Sequence, residues 1–199
     1  MLSLSFSTII LIMLAYGIGS IPFGLIFTNL SGCGDIRNIG SGNIGATNVL
    51  RTGSHKLAVL TLVFDAGKGA VAVGTAVYFA DIRMAALAGL VVVIGHCFPI
   101  WLKFKGGKGV ATSLAVFATL HYQLGAVFAI VWLATAFLSR YSSLAALNAV
   151  LAVTVASFVL LDDMNGQICI LLLSGLVWAR HHSNIARLLS GTETKIGAK

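Results

Sequence analysis

Residues 110–139 read VATSLAVFATLHYQLGAVFAIVWLATAFLS, a run without a single Asp, Glu, Lys or Arg. As one helix it is too long for a bilayer: about 30 residues reach about 45 Å, against a hydrocarbon core of about 30 Å. As two spans it is short. His121-Tyr122-Gln123 and Gly125 supply polar and flexible positions at which it can turn. The basic residues decide between the two readings, because they collect on the cytoplasmic side. With a hairpin here, Arg83 is the only one of the 13 Lys and Arg on the outer side. Without it, Arg140, Arg180, Arg187, Lys195 and Lys199 join Arg83 outside and the asymmetry disappears. The charges therefore predict a hairpin.

The rest of the chain extends the pattern on both sides. Apolar runs near 4–27, 57–80, 84–101 and 144–161, and a last one ending near 178, flank the hairpin. The expected fold is an all-α integral membrane protein with seven transmembrane helices, N-terminus outside and C-terminus cytoplasmic, in a single domain over 1–199. The two spans of the hairpin are short, so the bilayer thins there or the basic loop dips inward. The first run has no basic leader and no convincing cleavage site, which predicts a retained span rather than a signal peptide.

Composition agrees. The 199 residues are 58% hydrophobic and 10% charged, against about 45–50% and about 25% in soluble domains. A water-soluble fold of this size cannot bury that much apolar surface, and disorder and nucleic-acid binding are excluded with it. The apolar runs are continuous rather than alternating, which excludes a transmembrane β-barrel. Cys33, Cys97 and Cys169 lack metal-ligand spacing and read as small residues of a reduced protein.

This topology gathers the polar stretch 28–56, the loop 103–109 and the tail 180–199 on one face. The densest cluster is 41–51, SGNIGATNVLR. Its small residues let the backbone turn tightly. Ser41, Asn43, Thr47 and Asn48 offer neutral hydrogen bonds, and Arg51 a planar fork for phosphate or carboxylate. The loop Lys103-Phe104-Lys105-Gly106-Gly107-Lys108-Gly109 opens a helix. N–H groups at a helix start favour an anion, so Lys103, Gly106, Gly107, Lys108 and Gly109 are candidates to hold phosphate. The spacing is not that of a Walker A loop. Asp65 and Lys68 sit three apart inside a span and can pair; Lys68 is a further phosphate candidate and Asp65 a structural one. His96, His181 and Asn184 complete the set, with Glu193 structural. His55, His121 and His182 read as ordinary polar residues.

The absences narrow the chemistry. On this face the acids are Asp35, Asp65 and Glu193, too few and too scattered to hold magnesium, so no metal is expected. No GxSxG elbow occurs. No His is followed five positions later by Asp, so the dyad of acyl-CoA-dependent acyltransferases is missing.

Four segments carry a resemblance: Gly19-Ser20-Ile21-Pro22-Phe23-Gly24, the 41–51 cluster, Gly95-His96 with 104–112, and His181-x-x-Asn184 through Glu193. Together they resemble the bacterial acyl-phosphate:glycerol-3-phosphate acyltransferases of the PlsY type over essentially the whole chain. His182 stands where a basic residue is common. The resemblance implies acyl transfer from acyl phosphate to the 1-position of sn-glycerol 3-phosphate. The products are lysophosphatidic acid and phosphate, at the inner face of the bacterial cytoplasmic membrane, without coenzyme A, metal or other cofactor. It implies as partners the two substrates, membrane lipid and the upstream enzyme that forms the acyl phosphate. The competing readings are a transporter of a phosphorylated solute, which calls for midplane polar residues and inverted repeats that are not evident, and a non-catalytic lipid-binding subunit.

Overall fold

The computed structural model describes residues 6–197; the expected start of the first span at Leu4, and Lys199, lie outside the described residues. Among the described residues ten α-helices follow in order, with short 3-10 turns between some of them: α1 (Phe6–Gly19), α2 (Phe23–Leu30), α3 (Ala46–Val49), α4 (His55–Phe79), α5 (Ile82–Cys97), α6 (Val110–Leu120), α7 (Tyr122–Ser139), α8 (Ser142–Leu160), α9 (Met164–Arg180) and α10 (His182–Leu189). Among the described residues there is no strand. Five segments, 6–30, 55–79, 82–102, 122–139 and 142–160, are long and apolar enough to cross a membrane. The apolar helices α6 and α9 are shorter, at 11 and 17 residues.

The run 110–139 turns at His121, whose φ of −156° is extended rather than helical. The two arms lie close against each other. A Cβ at Gly125 would stand 2.5 Å from that of Ala118, and the rings of Phe117 and Phe128 are 6.0 Å apart. Small residues let membrane helices approach closely where lipid supplies no hydrophobic drive.

The first segment differs from its expected form. The sequence predicts one continuous span near 4–27, but the chain breaks at Ser20–Pro22 between α1 and α2. Proline has no N–H and clashes with the preceding turn. The carbonyls freed by the break are taken by side chains: Trp101 Nε1 donates to Ser20 O at 2.8 Å, and Lys68 Nζ to Ile21 O at 3.0 Å. Irregular backbone at membrane depth persists only when satisfied in this way.

Side-chain placement is that of a protein bathed in lipid. Val73, Val92, Val93, Phe117, Leu124, Val150 and Leu173 pack inside, while Phe64, Val71, Leu133, Phe137, Val155 and Phe158 lie exposed on helix flanks. An apolar exterior of that extent needs an apolar medium.

Tight turns make successive long helices antiparallel and sort the loops to two ends. At one end Arg83 approaches Asp163 at 3.5 Å, joining the α4–α5 and α8–α9 turns. At the other, Thr47 meets Ser142, Lys108 meets Asn184 and Ile196 N donates to Arg140 O. The three polar segments singled out in the sequence thus share an end.

Candidate active site

The 41–51 segment folds around Asn48, which is almost fully buried. Its Nδ2 donates to Ile36 O and Ile39 O, at 2.9 and 3.0 Å. Its Oδ1 accepts from Ser41 N at 3.1 Å and lies 3.4 Å from Ser41 Oγ and from Arg51 Nη1. With both ends of the amide engaged, Asn48 brackets the loop. Gly40 has φ +55°, and a Cβ there would fall 2.3 Å from Arg51 Nη1. Glycine therefore makes the bed for the Arg51 side chain. Nη1 is the guanidinium atom that faces Asn48, which among the described residues leaves the Nε–Nη2 edge without a protein hydrogen bond. Thr47 and Ser41 are exposed, and Asn43 is half-buried without a side-chain partner.

The tail supplies the second wall. Glu193 accepts at Oε1 from Ser143 Oγ (2.7 Å) and Asn184 Nδ2 (2.6 Å), and at Oε2 from Arg187 Nε (2.7 Å). Burial works to raise its pKa, but these three donors hold the carboxyl below its ordinary value. Asn184 Oδ1 in turn accepts from Lys108 Nζ. The result is one continuous line of contacts from Ser143 through Glu193 and Asn184 to Lys108.

Lys108 is half-buried among charges. Burial, with the like charges of Arg187, Arg180 and Arg51, brings its pKa down to about 8 against the attraction of Glu193. Three guanidinium groups thus act on Lys108, and Glu193 offsets them. Such a site is built for a multiply charged anion.

His181 is almost fully buried. Its Nδ1 lies 2.7 Å from Val177 O; a carbonyl only accepts, so Nδ1 carries the hydrogen. Burial pushes its pKa down to about 4, with Lys108 and Arg180 acting the same way and the Val177 hydrogen bond against. The ring is neutral near pH 7, and Nε2 presents a lone pair with no protein donor.

Several candidates have other surroundings than the sequence suggests. The N–H groups of Gly106 and Gly107 are engaged by Cys97 O (3.1 Å) and His96 O (3.0 Å). Those two are spent on the fold, and the N–H groups left here without a backbone partner among the described residues are those of Lys108 and Gly109 and of the first turn of α6, which no earlier helical carbonyl can reach. Gly109 sits at φ +82°, where glycine is favoured, at the start of that helix. Lys103 is exposed on the turn before the loop, with φ +51°, and makes no ion pair. Lys68 is buried and bound to Asp65 Oδ1 at 2.7 Å as well as to Ile21 O. It braces the helix break rather than lining the cationic cluster. His96 lies beneath the glycine loop, 5% exposed.

Arg180 was not among the sequence candidates. It donates from Nε to Gly107 O (3.1 Å) and from Nη2 to Gly106 O (3.0 Å), and lies over the Phe98 ring at 5.1 Å. Its place directly before His181 was the available signal. Gly40 and Ser143 were likewise missed, because their partners are distant in sequence or supplied by side-chain packing.

Residues 9–191 match the family described as Glycerol-3-phosphate acyltransferase. The chain belongs to the glycerol-3-phosphate acyltransferase family. A relative of that name from Mesorhizobium japonicum is 52% identical, covering 98% of this chain and 100% of its own. Another from Agrobacterium fabrum is 50% identical over 94% and 91%. Among solved structures, the glycerol 3-phosphate form of PlsY (YgiH), an integral membrane glycerol 3-phosphate acyltransferase, matches with a TM-score of 0.92 at 38% identity and covers 96% of both chains. Its lysphosphatidic acid form matches with 0.88 at 35% identity. This member of the acyltransferase family is therefore an all-helical integral membrane protein that crosses the bilayer several times.

Proposed function

We propose that this glycerol-3-phosphate acyltransferase family member takes its acyl group from an acyl phosphate and transfers it to the 1-hydroxyl of sn-glycerol 3-phosphate. The products are lysophosphatidic acid and inorganic phosphate, and the reaction opens bacterial phospholipid synthesis. The observation that carries this reading is the buried Lys108 ammonium, on which Arg187, Arg180 and Arg51 act as like charges against the attraction of the Glu193 carboxylate. Both substrates are phosphates, and one is a lipid.

An acyl phosphate is already activated, so catalysis needs proximity and charge stabilisation rather than a nucleophilic side chain, coenzyme A or a metal. The open edge of Arg51, with Ser41, Asn43 and Thr47, holds the acyl phosphate and the developing oxyanion. Asn48 fixes that loop. Lys108 and the first-turn N–H groups of α6 hold glycerol 3-phosphate. The 1-hydroxyl oxygen attacks the acyl carbon, the bond from that carbon to the phosphate oxygen breaks, and the departing phosphate takes the hydroxyl proton. Neutral His181 accepts a hydrogen bond from the hydroxyl at Nε2 and aims it, while Asn184 and Glu193 fix Lys108. Purified protein given glycerol 3-phosphate and palmitoyl phosphate should release lysophosphatidic acid and phosphate one to one, with palmitoyl-CoA inert. Activity with palmitoyl-CoA alone would overturn the donor assignment.

In this reading the domain spans 1–199 with seven crossings of the inner membrane, N-terminus outside, and the cationic end is cytoplasmic. The short helices α6 and α9 cross where the bilayer is thinned. Asp163 caps α9 by accepting from Gly166 N at 2.9 Å, so its neighbour Asp162 is the better probe site. In right-side-out vesicles an impermeant thiol reagent should label Asp162→Cys in a Cys33→Ser background. Cys33 of the unmodified protein should react only after permeabilisation. The reverse pattern would invert the topology.

A further inference from the structure

Gly107 is surrounded in an unusual way. A Cβ there would stand 2.1 Å from Nε2, 2.8 Å from Cε1 and 3.0 Å from Cδ2 of one side chain, His96. The φ of Gly107 is not positive, so the backbone itself accepts alanine. The His96 ring is the obstacle. That ring has little room to yield, being 5% exposed. Its Nδ1 is buried without a hydrogen bond and lies 3.7 Å from Asp65 Oδ1.

The loop above cannot slide away either. Gly107 N donates to the carbonyl of the same His96, and Gly106 N to Cys97 O. From the far side Arg180 grips Gly106 O and Gly107 O. Beneath, Asp65 is held by contacts from α4, from α6 and, through Lys68, from the break between α1 and α2. Asp65 is fixed by Lys68, Lys68 reaches across to Ile21 O, and Thr112 Oγ1 of α6 donates to Asp65 O at 2.9 Å. Lys108 follows Gly107 directly, so the height of the loop sets where its ammonium stands.

We propose that His96 is a positioning residue, a buried platform on which the loop rests and which sets Lys108 in the site, and that residue 107 is glycine because of the ring beneath it. This rests on the acyl-transfer reading for its link to activity. The ring reaches substrate only through the loop. The nearest obstacles at the neighbouring glycines are different in kind. At Gly106 a Cβ would meet His96 O, Pro99 Cδ and Cys97 O. At Gly109 the left-handed φ of +82° resists any side chain. Truncating the His96 side chain relieves neither.

The test is a double-mutant cycle, in which contacting residues couple and independent ones add. Gly107→Ala should raise the KM for glycerol 3-phosphate about tenfold, about 1.4 kcal/mol, with kcat changed less. Gly107→Ala with His96→Ala should return to within about threefold of His96→Ala alone. Gly106→Ala and Gly109→Ala should gain nothing from His96→Ala. The pH profile of His96→Ala should keep its shape, since the imidazole moves no proton. Additive losses at Gly107, equal rescue of all three glycines, or a His96→Ala that loses kcat at unchanged KM with a flattened pH profile would each overturn the proposal. The folded yield and thermal midpoint of the detergent-purified variants are read in parallel. If Gly107→Ala fails to fold, the double variant should fold; its failure would also overturn the pairing. Inactivity of the unmodified protein with palmitoyl phosphate would remove the acyl-transfer reading, while the folding readout still decides the His96–Gly107 pair.

Discussion

Arg51→Lys should lower kcat/KM for acyl transfer about 10²-fold, roughly 3 kcal/mol of transition-state stabilisation, although it keeps the charge. The reason is geometric. The side chain is laid on Gly40, where a Cβ would fall 2.3 Å from Nη1, and Nη1 faces Asn48. That leaves the Nε–Nη2 edge, two parallel N–H donors with the spacing of two phosphate oxygens. An ammonium on a flexible stem offers no such pair and has no packing to hold it in place. Gly40→Ala should act in the same direction, because the β-carbon displaces the guanidinium. Steady-state kinetics with palmitoyl phosphate, on protein shown to be folded, measure both. Arg51→Lys with near-normal kcat/KM would reduce Arg51 to a surface charge.

The hairpin at 110–139 was legible because the distribution of basic residues decided what length alone left open. The break at Ser20–Pro22 was not, because hydropathy stays high across it. Pro22 was the signal, but its meaning depends on Trp101 and Lys68 arriving to satisfy the freed carbonyls, and those contacts span 81 and 47 positions. Composition reports what a segment prefers to touch and is silent on which segment it touches.

The same limit runs through the site. Arg51, Lys108, His181 and Asn184 could be singled out because polar side chains in an apolar protein are conspicuous. Gly106 and Gly107 could be singled out too, but for a reason the structure does not support. A glycine loop suggests N–H groups aimed at an anion, whereas here those N–H groups are bonded to Cys97 and His96. Asn48 looks like a ligand and is a bracket. Lys68 looks like a phosphate contact and holds Asp65. In each instance the residue type announces a hydrogen bond, and only the fold decides with whom. Arg180 was counted in the sequence for its charge alone, yet both of its bonds go to carbonyls of the loop.

The second large effect concerns Lys108 and pH. Its pKa of about 8 means that the ammonium is present below that pH and lost above it. A phosphate monoester completes its second ionisation near pH 6. The dianion and the cation therefore coexist between about 6 and 8. Since kcat/KM reports the groups of the free enzyme and free substrate, kcat/KM for glycerol 3-phosphate should rise through about pH 6 and fall above pH 8. His181, with a pKa of about 4, stays neutral across that window and adds no limb to it. Lys108→Met removes the cation at every pH and leaves Asn184 Oδ1 without its donor. It should cost about 10²-fold or more in kcat/KM and abolish the alkaline limb. Lys108→Arg restores a charge that does not titrate, so its alkaline limb should vanish too, at a lower plateau set by the different shape of the guanidinium. Bound substrate favours the charged ammonium, so at saturating glycerol 3-phosphate the fall in kcat should move to higher pH than the fall in kcat/KM. An alkaline limb that survives in Lys108→Met would assign the titration to another group and take Lys108 out of the phosphate site.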